Sequence, residues 1–266
     1  ETISASIEFN KDGSIHNYEI IEAIIKPKYQ LTYEDANEIL ELEPKEELEL
    51  VEIKNLLEKS IAFHDPNNLW PKFNGVLNVT MTRPNGHKRI SVVKINLPKS
   101  FFELTINEGK NIIEKIVNKQ DCIVKLNGKN SYSDNQIKTH KLTCKNAKKM
   151  RDYYTYLYGL PMKLKDSGTI IHPKVENRKF KGKNYLVLKV DYSEPVGKDR
   201  WYFYFNPETY ALEAYQFFHE ESKNDGEYIL LSEQIEISGI IMPKVRSWFY
   251  NEQEKYLGTD TLIGKL

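Results

Sequence analysis

His64 and Asp65 are adjacent, and a histidine beside a carboxylate is the raw material of a general base. Adjacent residues of an extended segment point to opposite sides, however, and Asp65-Pro66 suits a turn after a helix. His172-Pro173 reads as a loop histidine just ahead of a strand. His219-Glu220-Glu221 has the composition of a metal cluster, but consecutive strand residues do not converge, and a charged hairpin end is the simpler reading. The sequence has no Gly-rich phosphate loop, no Gly-x-Ser-x-Gly elbow, no His-Glu-x-x-His and no Cys/His spacing suited to zinc. We therefore expect no catalytic residue, no metal and no cofactor.

Aromatic residues form the other group with chemical potential. Tyr153, Tyr154, Tyr156 and Tyr158 fall within six positions, and Tyr154 and Tyr158 share one face of a helix while Tyr156 points away. Such a face could pack a core or line a pocket. Trp201, Phe203 and Phe205 share one face of a strand, and Tyr202 and Tyr204 the other, which predicts burial on both sides or one face lining a cavity. The candidate ligand-binding residues are Tyr154, Tyr158, Met162, Trp201, Phe203 and Phe205. An apolar or amphipathic small molecule, such as a lipid, is the expected partner.

Composition narrows the classes. Of 266 residues, 40% are hydrophobic and 29% charged, enough for a sizeable core. Lys+Arg and Asp+Glu both number 38, and the basic residues are scattered, so a nucleic-acid partner is not favoured. Tyr outnumbers Phe, 17 to 11, which suits half-buried β surfaces and ligand walls alike. No apolar run reaches the ~18 residues of a membrane span. The first residue is Glu1, so a processed, truncated or excised chain is expected, and membrane association could come only through an N-terminal lipid anchor not in the sequence. Cys122 and Cys144 fit either one disulfide or two free thiols.

The elements that must position these residues follow from periodicity. Ile3 to Phe9 and Tyr18 to Ile25 are short strand-like runs around Asp12-Gly13, a hairpin signal, and Pro27 ends the second. Thr32 is an N-cap for a helix with Tyr33, Ala36 and Leu40 on its apolar stripe. Pro44 opens a second helix, with Leu50, Ile53, Leu57 and Ile61 at helical steps. From Gly75 the period becomes two: Leu77, Val79 and Met81 alternate with polar residues, and further strands follow to about Tyr250. One helix interrupts them, with Cys144, Ala147, Met150, Tyr154 and Leu157 at helical spacing and Gly159 and Pro161 at its end. Short turns make neighbouring strands antiparallel. The fold class is thus mainly β (α+β): a curved antiparallel sheet or half barrel with one packed helix on its concave side, preceded by a hairpin and two helices. The concave face must be filled by side chains or a ligand. The expected domains are 1–58 and 59–266.

Two resemblances add to this reading. Phe63-His64-Asp65-Pro66-Asn67 with Trp70-Pro71, Tyr153 to Met162, Ile171-His172-Pro173-Lys174, and Trp201 to Thr209 resemble an uncharacterised family of bacterial envelope proteins, often lipoproteins. The order of strands and turns from the Asn206-Pro207-Glu208-Thr209 turn through Asp225-Gly226, Gly239 and Met242-Pro243 is also similar to the lipoprotein-carrier half barrel. This resemblance implies a cell-envelope location, periplasmic or as an outer-membrane lipoprotein, and an apolar cavity; the family's usual lipobox Cys does not occur.

Ile7-Glu8-Phe9 with Asp12-Gly13, Ile24 to Pro27, and Leu31 to Ala36 resemble an internal piece of the catalytic domain of ribonuclease II-type 3′-to-5′ exoribonucleases, a cytoplasmic class. The magnesium-holding aspartates of that family lie upstream of this piece, so no catalytic residue carries over. The two resemblances join near Val51 to Ser60, which suggests a fused or chimeric frame. The expectation is a non-enzymatic envelope protein that binds a lipid or other apolar ligand. Its alternatives are an inactive ribonuclease II-type fragment or fusion, and a scaffold or interaction domain without a ligand.

Overall fold

A computed structural model describes residues 2–9, 14–23, 44–194 and 196–264. It divides into two compact units, Glu1–Glu47 and Leu48–Leu266. In the first, β1 (Thr2–Phe9) and β2 (Ile15–Ala23) pair antiparallel, with Thr2 opposite Ala23. The Asp12-Gly13 turn, Pro27 and the helix expected after Thr32 lie outside the described residues.

Helix α1 (Pro44–His64) opens on its proline, whose missing N–H costs nothing in the first turn. Its buried face runs Ile53, Leu56, Leu57, Ser60 and His64, with Ile61 half-buried beside it.

The other described strands are β3 (Asn74–Thr82), β4 (Lys88–Asn96), β5 (Phe101–Glu108), β6 (Asn111–Asn118), β7 (Asp121–Leu126), β8 (Thr169–Phe180), β9 (Lys183–Tyr192), β10 (Arg200–Phe205), β11 (Leu212–Phe218), β12 (Glu227–Ile237), β13 (Ile240–Tyr250) and β14 (Tyr256–Ile263). They form one 12-stranded sheet in the order β7-β6-β5-β4-β3-β14-β13-β12-β11-β10-β9-β8. Every neighbouring pair is antiparallel, as the short connections require. Between the two edge strands the chain forms α2 (Asp134–His140) and α3 (Cys144–Tyr158). The short helix α2 was not expected. It is set by a capping box in which Ser133 and Gln136 satisfy each other's backbone N–H groups, and it buries no residue.

The sheet is strongly curved around α3. Tyr154 packs its ring 6.3 Å from Phe102 of β5, and Tyr156 packs 5.7 Å from Trp201 of β10. In the strand order β5 and β10 are seven spacings apart, about 34 Å in a flat sheet. Two residues of helix advance only about 3 Å along its axis. A flat sheet cannot meet both rings, so the strands wrap the helix.

Residues from β3 to β7 and from β9 to β14 join Ala147, Tyr154, Leu157 and Tyr158 of α3 in one buried apolar cluster. Gly159 ends the helix, its N–H donating to the carbonyls of Thr155 and Tyr156. A Cβ there would lie 2.3 Å from the Trp70 ring, so that indole can approach only a glycine. Cys122 of β7 and Cys144 at the start of α3 form a disulfide, with Cα atoms 5.8 Å apart.

Candidate functional site: an aromatic groove over a polar interior

The histidines with catalytic potential have structural partners. The His64 ring is buried, with Nδ1 donating to the Ile241 carbonyl at 2.7 Å and Nε2 accepting the Leu212 N–H at 3.0 Å. Burial holds its pKa down to about 4, so the neutral ring pins the end of α1 to β13 and the start of β11. Asp65 accepts the N–H groups of Leu69 and Trp70 at 2.7 and 2.8 Å, which orders the turn after the helix. No His64–Asp65 dyad is formed; each residue serves the backbone.

His172 meets Asp191 at 2.7 Å, and Arg200 donates to both oxygens of that carboxylate, at 3.0 and 2.9 Å. These hydrogen bonds, that of Arg200 foremost, hold the Asp191 carboxyl down to about 2. Arg200 also reaches Glu221, which accepts the Tyr202 hydroxyl at 2.6 Å. His219 pairs with Asp199 at 2.7 Å, while Asp225 accepts the N–H groups of His219 and Glu220. The segment is a charged hairpin end. Among the described residues no group of three His, Cys, Asp or Glu side chains could hold a metal ion.

The candidate ligand residues fall in two places. Tyr154, Tyr158, Met162, Phe203 and Phe205 are buried in the main apolar cluster, where Tyr154 and Tyr158 stack 5.9 Å apart. Trp201 is half-buried and lines a groove of about 620 Å³ between α3 and the chain around β9 and β10. Tyr153, Tyr156 and Tyr192 share that groove, with Val196 exposed at its mouth. The Tyr156 hydroxyl is hydrogen-bonded to that of Tyr192, and the Tyr156 ring stands edge-on to those of Tyr192 and Trp201. The result is a box of aromatic faces. Its rim is polar, with Lys149, Asp152, Lys163, Asp166 and Asp199. Gly168 at φ +88° shapes that mouth, because a Cβ there would lie 2.8 Å from the Val196 side chain.

Sequence reasoning passed over Tyr192 and Val196, which reach the groove from a strand end and the loop after it. It also passed over a row of charge on the inner face. Arg246 of β13 stands opposite Asp260 of β14, which stands opposite Met81 of β3, which stands opposite Arg89 of β4. Arg246 is 1% exposed, and its guanidinium lies 3.9 Å from the centre of the Tyr158 ring. Burial raises the Asp260 carboxyl above its ordinary range, while one oxygen accepts the Trp248 indole N–H at 3.2 Å.

Residues 47–265 match a family described as a family of unknown function, DUF6503. Over 115 residues the chain is 30% identical to ribonuclease II, chloroplastic/mitochondrial, of Arabidopsis thaliana; that stretch is 43% of this chain and 13% of the length of the relative. Among solved structures, the chain is similar to a LolA superfamily protein from Nitrosomonas europaea, at 12% identity and a TM-score of 0.48, covering 79% of this chain and 91% of that one. It is also similar to a DUF1329 family protein from Desulfovibrio piger, at 10% identity and a TM-score of 0.45, covering 80% and 91%.

Proposed function

We propose that this chain, which belongs to the family of unknown function DUF6503, is a non-enzymatic binding protein of the bacterial cell envelope that holds a lipid or another amphipathic molecule in the groove beside α3. The carrying observation is the aromatic box of Tyr156, Tyr192 and Trp201, open to solvent at one side and backed by the main apolar core. Apolar ligand surface entering it gains about 2.5 kcal/mol per 100 Å² before the cost of association. Behind it Phe203 stacks 5.9 Å from Trp201 and Tyr154 stands edge-on 5.3 Å from Tyr153, in the buried cluster that also holds Tyr158, Met162 and Phe205. The Cys122–Cys144 disulfide suits an oxidising compartment. No described helix is long and apolar enough to cross a membrane.

Mass spectrometry of a solvent extract of the purified protein tests this reading. A stoichiometric amphipathic molecule is expected from the wild type, and at least ten-fold less from Trp201→Ala. Repeatedly empty extracts, together with no uptake of oleate by the purified chain, would refute it. The match to part of a ribonuclease favours a second reading, that of a nuclease-derived segment. A magnesium-dependent assay on single-stranded RNA decides it, and no turnover is expected.

A further inference from the structure

The interior behind the groove is polar in a way that a simple oily hollow does not need. Three buried polar atoms of the inner-face row and its neighbours have no hydrogen-bond partner among the described residues, Arg246 Nε, the Tyr158 hydroxyl and Asp260 Oδ1, and the Tyr215 hydroxyl has only the Arg246 guanidinium beside it, without hydrogen-bond geometry. Arg89 Nε and Ser91 Oγ of β4 also make no hydrogen bond of good geometry, and the Tyr154 hydroxyl lies beside both residues. Buried polar groups are rarely left unpaired, because each costs about 1–3 kcal/mol without a partner. Arg246 and Asp260 face each other across neighbouring strands, yet each spends its hydrogen bond elsewhere. Arg246 donates Nη1–H to the Pro243 carbonyl at 2.9 Å, and Asp260 accepts from Trp248. Two guanidiniums stand in this row against one carboxylate, and that carboxyl is shifted by burial toward its neutral form.

This cluster adjoins the groove. Tyr153 stacks 6.4 Å from Trp248, and Trp201 packs 6.0 Å from Tyr215. Both Tyr153 and Trp201 line the groove, and Tyr215 in turn packs 6.5 Å from Trp248. One layer of rings therefore separates the groove from Arg246, Tyr215 and Asp260, so a head group reaches them from the groove only when Tyr153 or Trp248 turns aside.

We infer that this cluster is a seat for the anionic head of an amphipathic ligand: Arg246, with the Tyr158 and Tyr215 hydroxyls and Arg89 beside it, takes a carboxylate or phosphate oxygen while the apolar chain lies in the aromatic groove. The inference rests on the ligand reading above. An anion offers acceptors to Arg246 Nε and to both hydroxyls at once, which a hydrocarbon cannot. The same head, if protonated or hydroxylated, gives Asp260 Oδ1 a donor.

The test measures dissociation constants of the full, delipidated chain for oleate, for methyl oleate and for inorganic phosphate. Wild type is expected to hold oleate at least ten-fold more tightly than methyl oleate. Arg246→Met should bring the two within three-fold by weakening oleate alone. The double variant Tyr158→Phe/Tyr215→Phe keeps the ring volumes and guards against loss of fold in the first variant; it should cut the preference several-fold. Equal binding of oleate and methyl oleate by wild type overturns the anion seat and leaves the apolar groove standing. Failure of both probes to bind overturns both readings. An unchanged preference in the double Phe variant, or inorganic phosphate bound as tightly as oleate, also overturns the seat.

Discussion

The two halves of the 12-stranded sheet bury their side chains differently. From β3 to β7 only the inner face is covered. β4 alternates through Ser91, Val93 and Ile95, all buried, while the other face leaves Ile90 of β4, Ile112 of β6 and Ile123 of β7 46–50% exposed. From β9 to β12 both faces are covered. Phe203 and Phe205 point into the main core, and Tyr202 and Tyr204 join Tyr185, Val187, Ala214 and Phe218 in a second cluster on the outer side. Phe180 at the tip of the β8–β9 hairpin caps that cluster, stacking 4.5 Å from Tyr204 and meeting Tyr228 edge-on. A one-faced sheet can present a groove on the side where its packing ends; a two-faced one gives the groove a wall that does not yield. Trp201 belongs to the second half and Tyr153 and Tyr156 to the helix, so the groove sits where the helix surface meets a braced strand.

The comparison can be broken first at the core. Phe203→Ala should destabilise by about 3–5 kcal/mol, because the cavity opens in a layer packed on both sides. Urea unfolding of the variant checks it, and a loss below 1 kcal/mol would remove the distinction between the halves. Acid titration acts on the same half through His64. Its folded pKa of about 4 lies below the unfolded value near 6.5, so the folded state binds fewer protons between those values. The His64 contribution to stability is therefore constant above pH 6.5 and falls as pH drops toward 4, by roughly 3 kcal/mol in total. His64→Gln should flatten that slope in pH-dependent thermal melts.

The disulfide sharpens the contrast from the other side. It ties α3 to β7 across a separation of 22 residues, so its removal should cost about 3 kcal/mol. Hydrogen exchange should show the loosening in α3 and β5–β7 while β9–β12 stay protected. The smallest effect is expected for Ile123→Ala on the open outer face, within about 0.5 kcal/mol of wild type.

Much of this architecture was legible in the order of residues. The alternation of Trp201 to Phe205 pointed to burial on both sides or to one face lining a cavity, and both faces are packed while Trp201 also lines the groove; the switch of period near Gly75 marked where the sheet begins. Tyr154 and Tyr158 were placed together by helical spacing, and they stack. The inner charged row was not legible. Arg246, Asp260, Met81 and Arg89 become neighbours only through the registers of three strand pairs, and a sequence carries no direct mark of register between distant strands. The groove is hidden for the same reason, since Tyr156, Tyr192 and Trp201 come from a helix, a strand end and a strand start. Helix α2 escaped notice because seven residues without a buried face leave no periodic signal, only the Ser133/Gln136 pair.

An open sheet has free margins, and here one of them is β8. Its ladder with β9 breaks between Ile171 and Val175, where the backbone of His172, Pro173 and Lys174 has no opposite residue in β9. Pro173 offers no amide hydrogen to a visiting strand, and the irregularity divides the margin into two short stretches. A second molecule arriving along this edge would find no long template on which to polymerise.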